Sequence, residues 1–199
     1  MRSRIVLALV MMFGLAVPVQ AAPSDDPRQV ISGFYDVLLS VMKDADKLGY
    51  QGRYQKLDPT LRQVFDLPQM TRIAIGPFWK SIGPDEQKRL VEAFSRYTIS
   101  TYADRFDGFS GEKFQVGDKK PSDAGGVIVE TKLIQSNGEP IALNYLMRQE
   151  PGGSWQVIDV FLSGMVSELA TRRSEFASVL RKGSAADVIN LLESKTRSN

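Results

Sequence analysis

Ser154-Trp155-Gln156-Val157-Ile158-Asp159-Val160-Phe161-Leu162-Ser163-Gly164 runs directly into an amphipathic stretch at residues 165–180. β-branched and aromatic residues that stop at a glycine predict a strand turning into a helix. On that strand Ile158, Val160 and Leu162 alternate with Trp155, Val157, Asp159 and Phe161. Both faces are then largely apolar, as in a strand covered on both sides. Asp159 interrupts this pattern, and its role is the first chemical question the chain poses.

Upstream, residues 113–116, 127–135 and 141–148 also read as strands, separated by turn-forming segments at 118–126, 136–140 and 151–154. Asn137-Gly138 is a strong hairpin signal, and Gly152-Gly153 marks a second tip. Connections this short join antiparallel neighbours, so the four strands predict a meander. Further out the period changes to helical. Val30, Phe34, Val37, Leu38, Val41, Met42 and Ala45 form one stripe, with Pro27 tolerated in the first turn. Residues 48–57 break it with two glycines and two tyrosines, and Asp58-Pro59 reads as the start of a new short helix. Asp66-Leu67-Pro68 opens another, closed by Gly76. Gly83-Pro84 starts a longer one, whose face carries Leu90, Phe94, Tyr97, Thr101 and Tyr102. Beyond the strands, Val166, Leu169, Ala170, Phe176, Val179 and Leu180 are the apolar set of residues 165–180. Ser184-Ala185-Ala186-Asp187 resembles a capping box for a last helix. Helices, then a sheet, then helices predict an α+β domain.

The extreme N-terminus has Arg2 and Arg4, an apolar run at residues 5–17, and small residues before a cut after Ala21. This predicts a secretory signal at residues 1–21, followed by one domain at 22–199. The apolar run is short of the ~20 residues of a membrane span, so no stable anchor is expected after cleavage. Without residues 1–21, Lys+Arg falls from 25 to 23, equal to Asp+Glu 23. A neutral chain has no electrostatic footprint for nucleic acid.

The chain has no cysteine and no histidine. Disulfides, the usual general base near neutral pH and the commonest metal ligand are therefore absent. No metal or cofactor site is expected, and no glycine cluster sits in a strand–GxGxxG–helix context. Asp159 and Glu130 are the candidate catalytic acids. An aspartate beside tyrosines in an apolar cavity can move protons on a polycyclic substrate. A buried aspartate held by Arg173 or by backbone N–H groups is the competing reading, and it is favoured because a buried charge must be satisfied. Arg172, Arg173, Arg181 and Lys182 form a basic cluster that fits either a docking surface or a solvated helix face.

Asp66-Leu67-Pro68-Gln69-Met70-Thr71-Arg72, Gly76-Pro77-Phe78-Trp79-Lys80, the aromatic helix from Phe94 to Tyr102, Trp155-Gln156-Val157-Ile158-Asp159-Val160, Gly164 and Arg173-Ser174-Glu175-Phe176 occur in order along the chain. Together they resemble the MlaC-type periplasmic phospholipid-binding proteins, the toluene-tolerance family. Arg53-Tyr54, Thr98 to Asp104 with Arg105-Phe106-Asp107-Gly108, and Ser110-Gly111-Glu112-Lys113-Phe114 look closest to its hopanoid-biosynthesis-associated, HpnM-like branch. The resemblance implies an NTF2-like curved antiparallel sheet of about four strands, wrapped by N- and C-terminal helices around an apolar cavity. It implies a non-enzymatic carrier of phospholipid or hopanoid lipid. In the family such a carrier works between an outer-membrane lipoprotein complex and an inner-membrane ABC transporter with an MCE-domain protein. The alternative is an enzyme or accessory factor for hopanoid-type lipids with Asp159 as acid/base. A protein-binding adaptor with a filled interior is a third reading. For the carrier, Phe34, Leu38, Phe78, Phe94, Tyr97, Leu143, Tyr145, Val160, Leu162, Val166 and Phe176 are the expected cavity walls.

Overall fold

A computed structural model describes residues 26–198, so the expected export signal lies outside the described residues. The chain forms α1 (Pro27–Lys43), α2 (Ala45–Val64), α3 (Leu67–Ile75), a 3-10 turn (Gly76–Ser81) and α4 (Pro84–Arg105). Strands β1 (Lys113–Pro121), β2 (Val127–Ile134), β3 (Pro140–Gln149), β4 (Trp155–Leu162) and β5 (Val166–Ser167) follow, then α5 (Glu168–Leu180) and α6 (Ala185–Ser198). The strands make one open antiparallel sheet in the order β1-β2-β3-β4-β5. The α+β class and the meander are as expected; the strand count is five rather than about four.

The fifth strand corrects the reading of residues 165–180 as one helix. Ser163 and Gly164 both adopt left-handed conformations (φ 51 and 78), which turn the chain back so that Val166 pairs with Leu162 and Ser167 with Phe161. Helix α5 starts only after this short hairpin, with Ser167 as N-cap accepting from the Ala170 N–H. A second correction concerns residues 48–64. Gly49 (φ 58) kinks α2, but the helix then continues through Pro59 instead of restarting there. Burial of Leu57, Leu61 and Val64 outweighs the local cost of the proline.

Strand β4 does not alternate simply. Leu146 opposes Asp159 whereas Met147 opposes Val157, so Ile158 is an extra, bulged residue. Directly opposed residues share a face. Val157, Val160 and Leu162 therefore look the same way as Met147, Tyr145 and Leu143, and the expected grouping of Val157 with Asp159 fails at the bulge. Helices pack on this inner face. The largest fully buried side chains, among them Tyr145, Phe34, Phe65 and Phe176, lie between the two layers.

Helix α3 is fastened to β4 at its start. The Asp66 N–H donates to the Val157 carbonyl, and the Asp66 carboxylate caps α3 by accepting from the Gln69 N–H at 2.9 Å. Replacing a capping aspartate with alanine costs about 1 kcal/mol. Asp66→Ala is expected to lower the thermal midpoint by about 2–4 °C, measured by calorimetry. At its other end α3 stops at Gly76, which has φ 65 and sits under the Arg173 side chain of α5; a Cβ there would lie 2.6 Å from Nε. The guanidinium can move aside, so the positive φ is what favours glycine here.

Candidate functional site

Helices α3, α4 and α5 meet β4 around an interior cavity of about 80 Å³. Its apolar wall is Phe65, Met70, Phe94, Tyr97, Tyr102, Val160, Leu162 and Leu169, and its rim carries Thr98, Thr101, Arg105, Glu168 and Arg172. The helical repeat explains the α4 contribution. Phe94, Tyr97, Thr98, Thr101, Tyr102 and Arg105 follow at steps of three and four and share one face. The threonines are not free inside the cavity, because Thr98 and Thr101 donate to the carbonyls of Phe94 and Tyr97 on their own helix.

Of the expected walls, Phe94, Tyr97, Val160 and Leu162 line this cavity. Phe34, Leu38, Tyr145 and Phe176 are buried in solid core behind it. Phe78 and Leu143 are half-buried and packed against that core, and Val166 is 56% exposed. Phe34 stands edge-on to Phe65 and Tyr102 at 5.5 and 5.6 Å, so the aromatic stripe serves core on one side and cavity on the other. Met70, Leu169, Arg105, Glu168 and Arg172 were not among the expected walls. Leu169 belongs to the apolar stripe of its helix, but only the docking of α3 and α5 brings it and Met70 to β4.

Asp159 is a structural clamp. Its carboxylate accepts from the Val160 N–H (2.8 Å), the Ser167 hydroxyl (2.5 Å) and the Leu169 N–H (3.2 Å). Leu169 lies in the first turn of α5, where N–H groups lack helical partners and the helix dipole favours a negative charge. Asp159 thus caps α5 from the neighbouring strand and holds Glu168, Leu169 and Arg172 at the cavity. Of the two structural readings, backbone satisfaction holds, and Arg173 instead covers Gly76. Burial pushes the Asp159 carboxyl upward, against the three hydrogen bonds that favour its ionised form. No tyrosine is among its partners. Glu130, the other candidate acid, pairs with Lys120 at 2.5 Å on the sheet face turned away from the cavity walls.

A buried hydroxyl chain runs behind the cavity. Tyr145 meets Tyr35 at 3.2 Å, Tyr35 meets Thr131 at 2.5 Å, and Thr131 donates to the Leu143 carbonyl. Burial pushes Tyr35 up to about 12 and raises Tyr102 and Tyr145 as well. All three remain neutral phenols at physiological pH, which suits a satisfied polar seam more than proton transfer.

The rim is electrostatically tied. Arg172 lies over the Tyr97 ring at 4.9 Å and pairs with Glu168 at 3.5 Å and Glu175 at 3.1 Å. Glu175 in turn holds Lys195 of α6 at 2.6 Å. Burial raises the Glu175 carboxyl, but its bonds from Lys195 and Arg172 outweigh this and leave it below the ordinary value. Arg105, also on the rim, is exposed and makes no ion pair among the described residues. The expected basic cluster is thereby divided, with Arg172 at the cavity and Arg173 over Gly76. A wider, more open depression of about 630 Å³ on the other sheet face is lined by Val116 and Ala142 together with Asp118, Glu130, Lys132 and Asn144, so its charged groups stand within the lining rather than at a rim. Among the described residues no acidic cluster could hold a metal ion, and no helix is long and apolar enough to cross a membrane.

No curated protein matches this chain significantly. The fold is similar to that of the phospholipid-binding protein from Ralstonia solanacearum, solved in complex with a phospholipid. The TM-score is 0.75 at 24% sequence identity, over 87% of this chain and 98% of that one. The family model described as MlaC protein matches residues 33–194. That match takes in every helix and strand around the cavity, and the chain belongs to the MlaC protein family.

Proposed function

We propose that this protein is a non-enzymatic, periplasmic phospholipid carrier, exported by a signal at residues 1–21 and built as one lipid-binding domain. The observation that carries the proposal is the apolar cavity between β4 and the α3–α4–α5 layer, with its charged groups confined to the rim. Family membership and the likeness to a phospholipid-binding fold support it. In this reading the sheet and helices form an NTF2-like cradle for acyl chains.

Each methylene left in water costs ~0.8 kcal/mol, so two chains of roughly thirty methylenes in all cannot diffuse free. An apolar cavity makes exchange with a bilayer nearly neutral, and direction then comes from partners. The resemblance supplies these as an outer-membrane lipoprotein complex and an inner-membrane ABC transporter with an MCE-domain protein. A hopanoid is the other cargo that the branch resemblance suggests.

At about 80 Å³ the cavity is below the ~300–1,000 Å³ of ordinary ligand sites, so loading requires its walls to part. Protein purified from a two-membrane bacterium is expected to yield phospholipid on solvent extraction and mass spectrometry. No lipid in any preparation, together with no uptake from vesicles, would remove the proposal.

A further inference from the structure

We propose that Met165 and Val166, at the tip of the β4–β5 hairpin, form a lip that touches an anionic phospholipid bilayer and passes acyl chains into the cavity. The proposal rests on the carrier reading. Met165 is 85% and Val166 56% exposed, which makes them the two most exposed large hydrophobic residues among the described ones. Their position is not incidental to the cavity. Val166 directly opposes Leu162, a cavity wall, and opposed residues share a face. Val160, Leu162 and Val166 therefore form a continuous apolar path from the interior to solvent.

The tip is a built feature. Ser163 holds a left-handed backbone that is costly for a residue with a Cβ, and Gly164 continues it. The Met165 N–H donates to the Leu162 carbonyl, and Asn144 Nδ2 donates to the Gly164 carbonyl. This arrangement fixes two aliphatic side chains outward, where a polar turn would ordinarily stand.

A stable protein interface buries ~1,200–2,000 Å², far more than two side chains on a tip can supply. A bilayer needs no complementary surface, since apolar side chains partition into it one by one. Arg105 gives the sign of that bilayer. It stands on the rim of the same cavity with no carboxylate partner among the described residues, whereas Arg172 is neutralised by Glu168 and Glu175. A guanidinium without a carboxylate partner at the rim favours a head group whose phosphate charge is not offset by an amine.

The test is the rate at which the full chain takes pyrene-labelled phosphatidylglycerol from vesicles of equal parts phosphatidylethanolamine and phosphatidylglycerol. The double variant Met165→Ser, Val166→Ser is expected to load about ten-fold more slowly, from the loss of apolar area that enters the bilayer. Its final lipid occupancy and thermal midpoint should match the wild type, because both residues are exposed. Arg105→Gln should slow loading from these net-negative vesicles several-fold more than loading of pyrene-labelled phosphatidylcholine from vesicles of phosphatidylcholine alone, whose choline offsets the phosphate charge. Equal loading rates for wild type and double variant would overturn the lip, as would a defect confined to hand-off to a protein acceptor. A wild type that takes up no lipid would overturn the carrier reading and the lip with it.

Discussion

Leu162→Trp is expected to cut the lipid recovered with the protein at least ten-fold while leaving the chain folded. Leu162 is half-buried on β4 and lines the cavity beside Val160, opposite the rings of α4. An indole at that position fills a cavity of only about 80 Å³ and blocks the path from Val166 inward. Overfilling a tight core costs typically about 1–3 kcal/mol, and a site near the rim falls toward the low end because the ring can lean outward. Mass spectrometry of extracted lipid measures the first effect and calorimetry the second. Undiminished lipid in a folded Leu162→Trp variant would place the acyl chains somewhere other than this cavity.

Asp159→Ala is expected to have the larger effect on stability. It strands the N–H groups of Val160 and Leu169 and removes the acceptor of the Ser167 hydroxyl. With each unsatisfied buried group costing about 1–3 kcal/mol, and partial rescue by water at the rim, the total is about 3 kcal/mol. That corresponds to a fall of about 6–12 °C in thermal midpoint. Asp159→Asn keeps one oxygen as acceptor and should lose less than half as much.

Both variants also remove a titrating group, which gives a test by pH. Burial raises the folded carboxyl above its ordinary value of 3.8, so the folded state binds the proton more tightly than the unfolded one. Stability from this group is then greatest below 3.8 and declines as pH rises through the raised folded value. Asp159→Asn should remove that decline, which denaturant titrations at successive pH values would reveal. It should also retain lipid binding. Loss of an enzymatic turnover on a polycyclic lipid, with fold and binding intact, would instead restore Asp159 as an acid/base.

Much of the architecture was legible because it follows from local chemistry. Trp155–Leu162 was bounded on both sides by turn residues, and the structure gives that strand with the same limits. Asp66 before Leu67-Pro68 and Gly83 before Pro84 announced α3 and α5's neighbour α4, since caps and first-turn prolines act within a few residues. The α2 region departs from its local signals for the opposite reason. Gly49 and Pro59 are strong local signals, yet the contacts of Leu57 and Leu61 with distant helices decide the conformation there.

The site was less legible. Helical spacing identified Phe94 and Tyr97 as a face but could not separate Tyr97, at the cavity, from Phe34 and Phe176, in the core. Both environments are apolar, and the difference is whether a second layer closes on the ring. The bulge at Ile158 was likewise invisible, because it depends on register with β3.

Local chemistry specifies the α+β order of elements, the antiparallel meander, the absence of histidine and cysteine chemistry, and the aromatic stripe of α4. Each of these follows from residue type and spacing along the chain. Long-range packing sets the rest: Asp159 caps α5, Val166 faces solvent, and Phe94, Tyr97, Val160 and Leu162 enclose a common space. Those outcomes depend on which faces meet across long separations in sequence, where packing and hydrogen-bond satisfaction prevail over local preference.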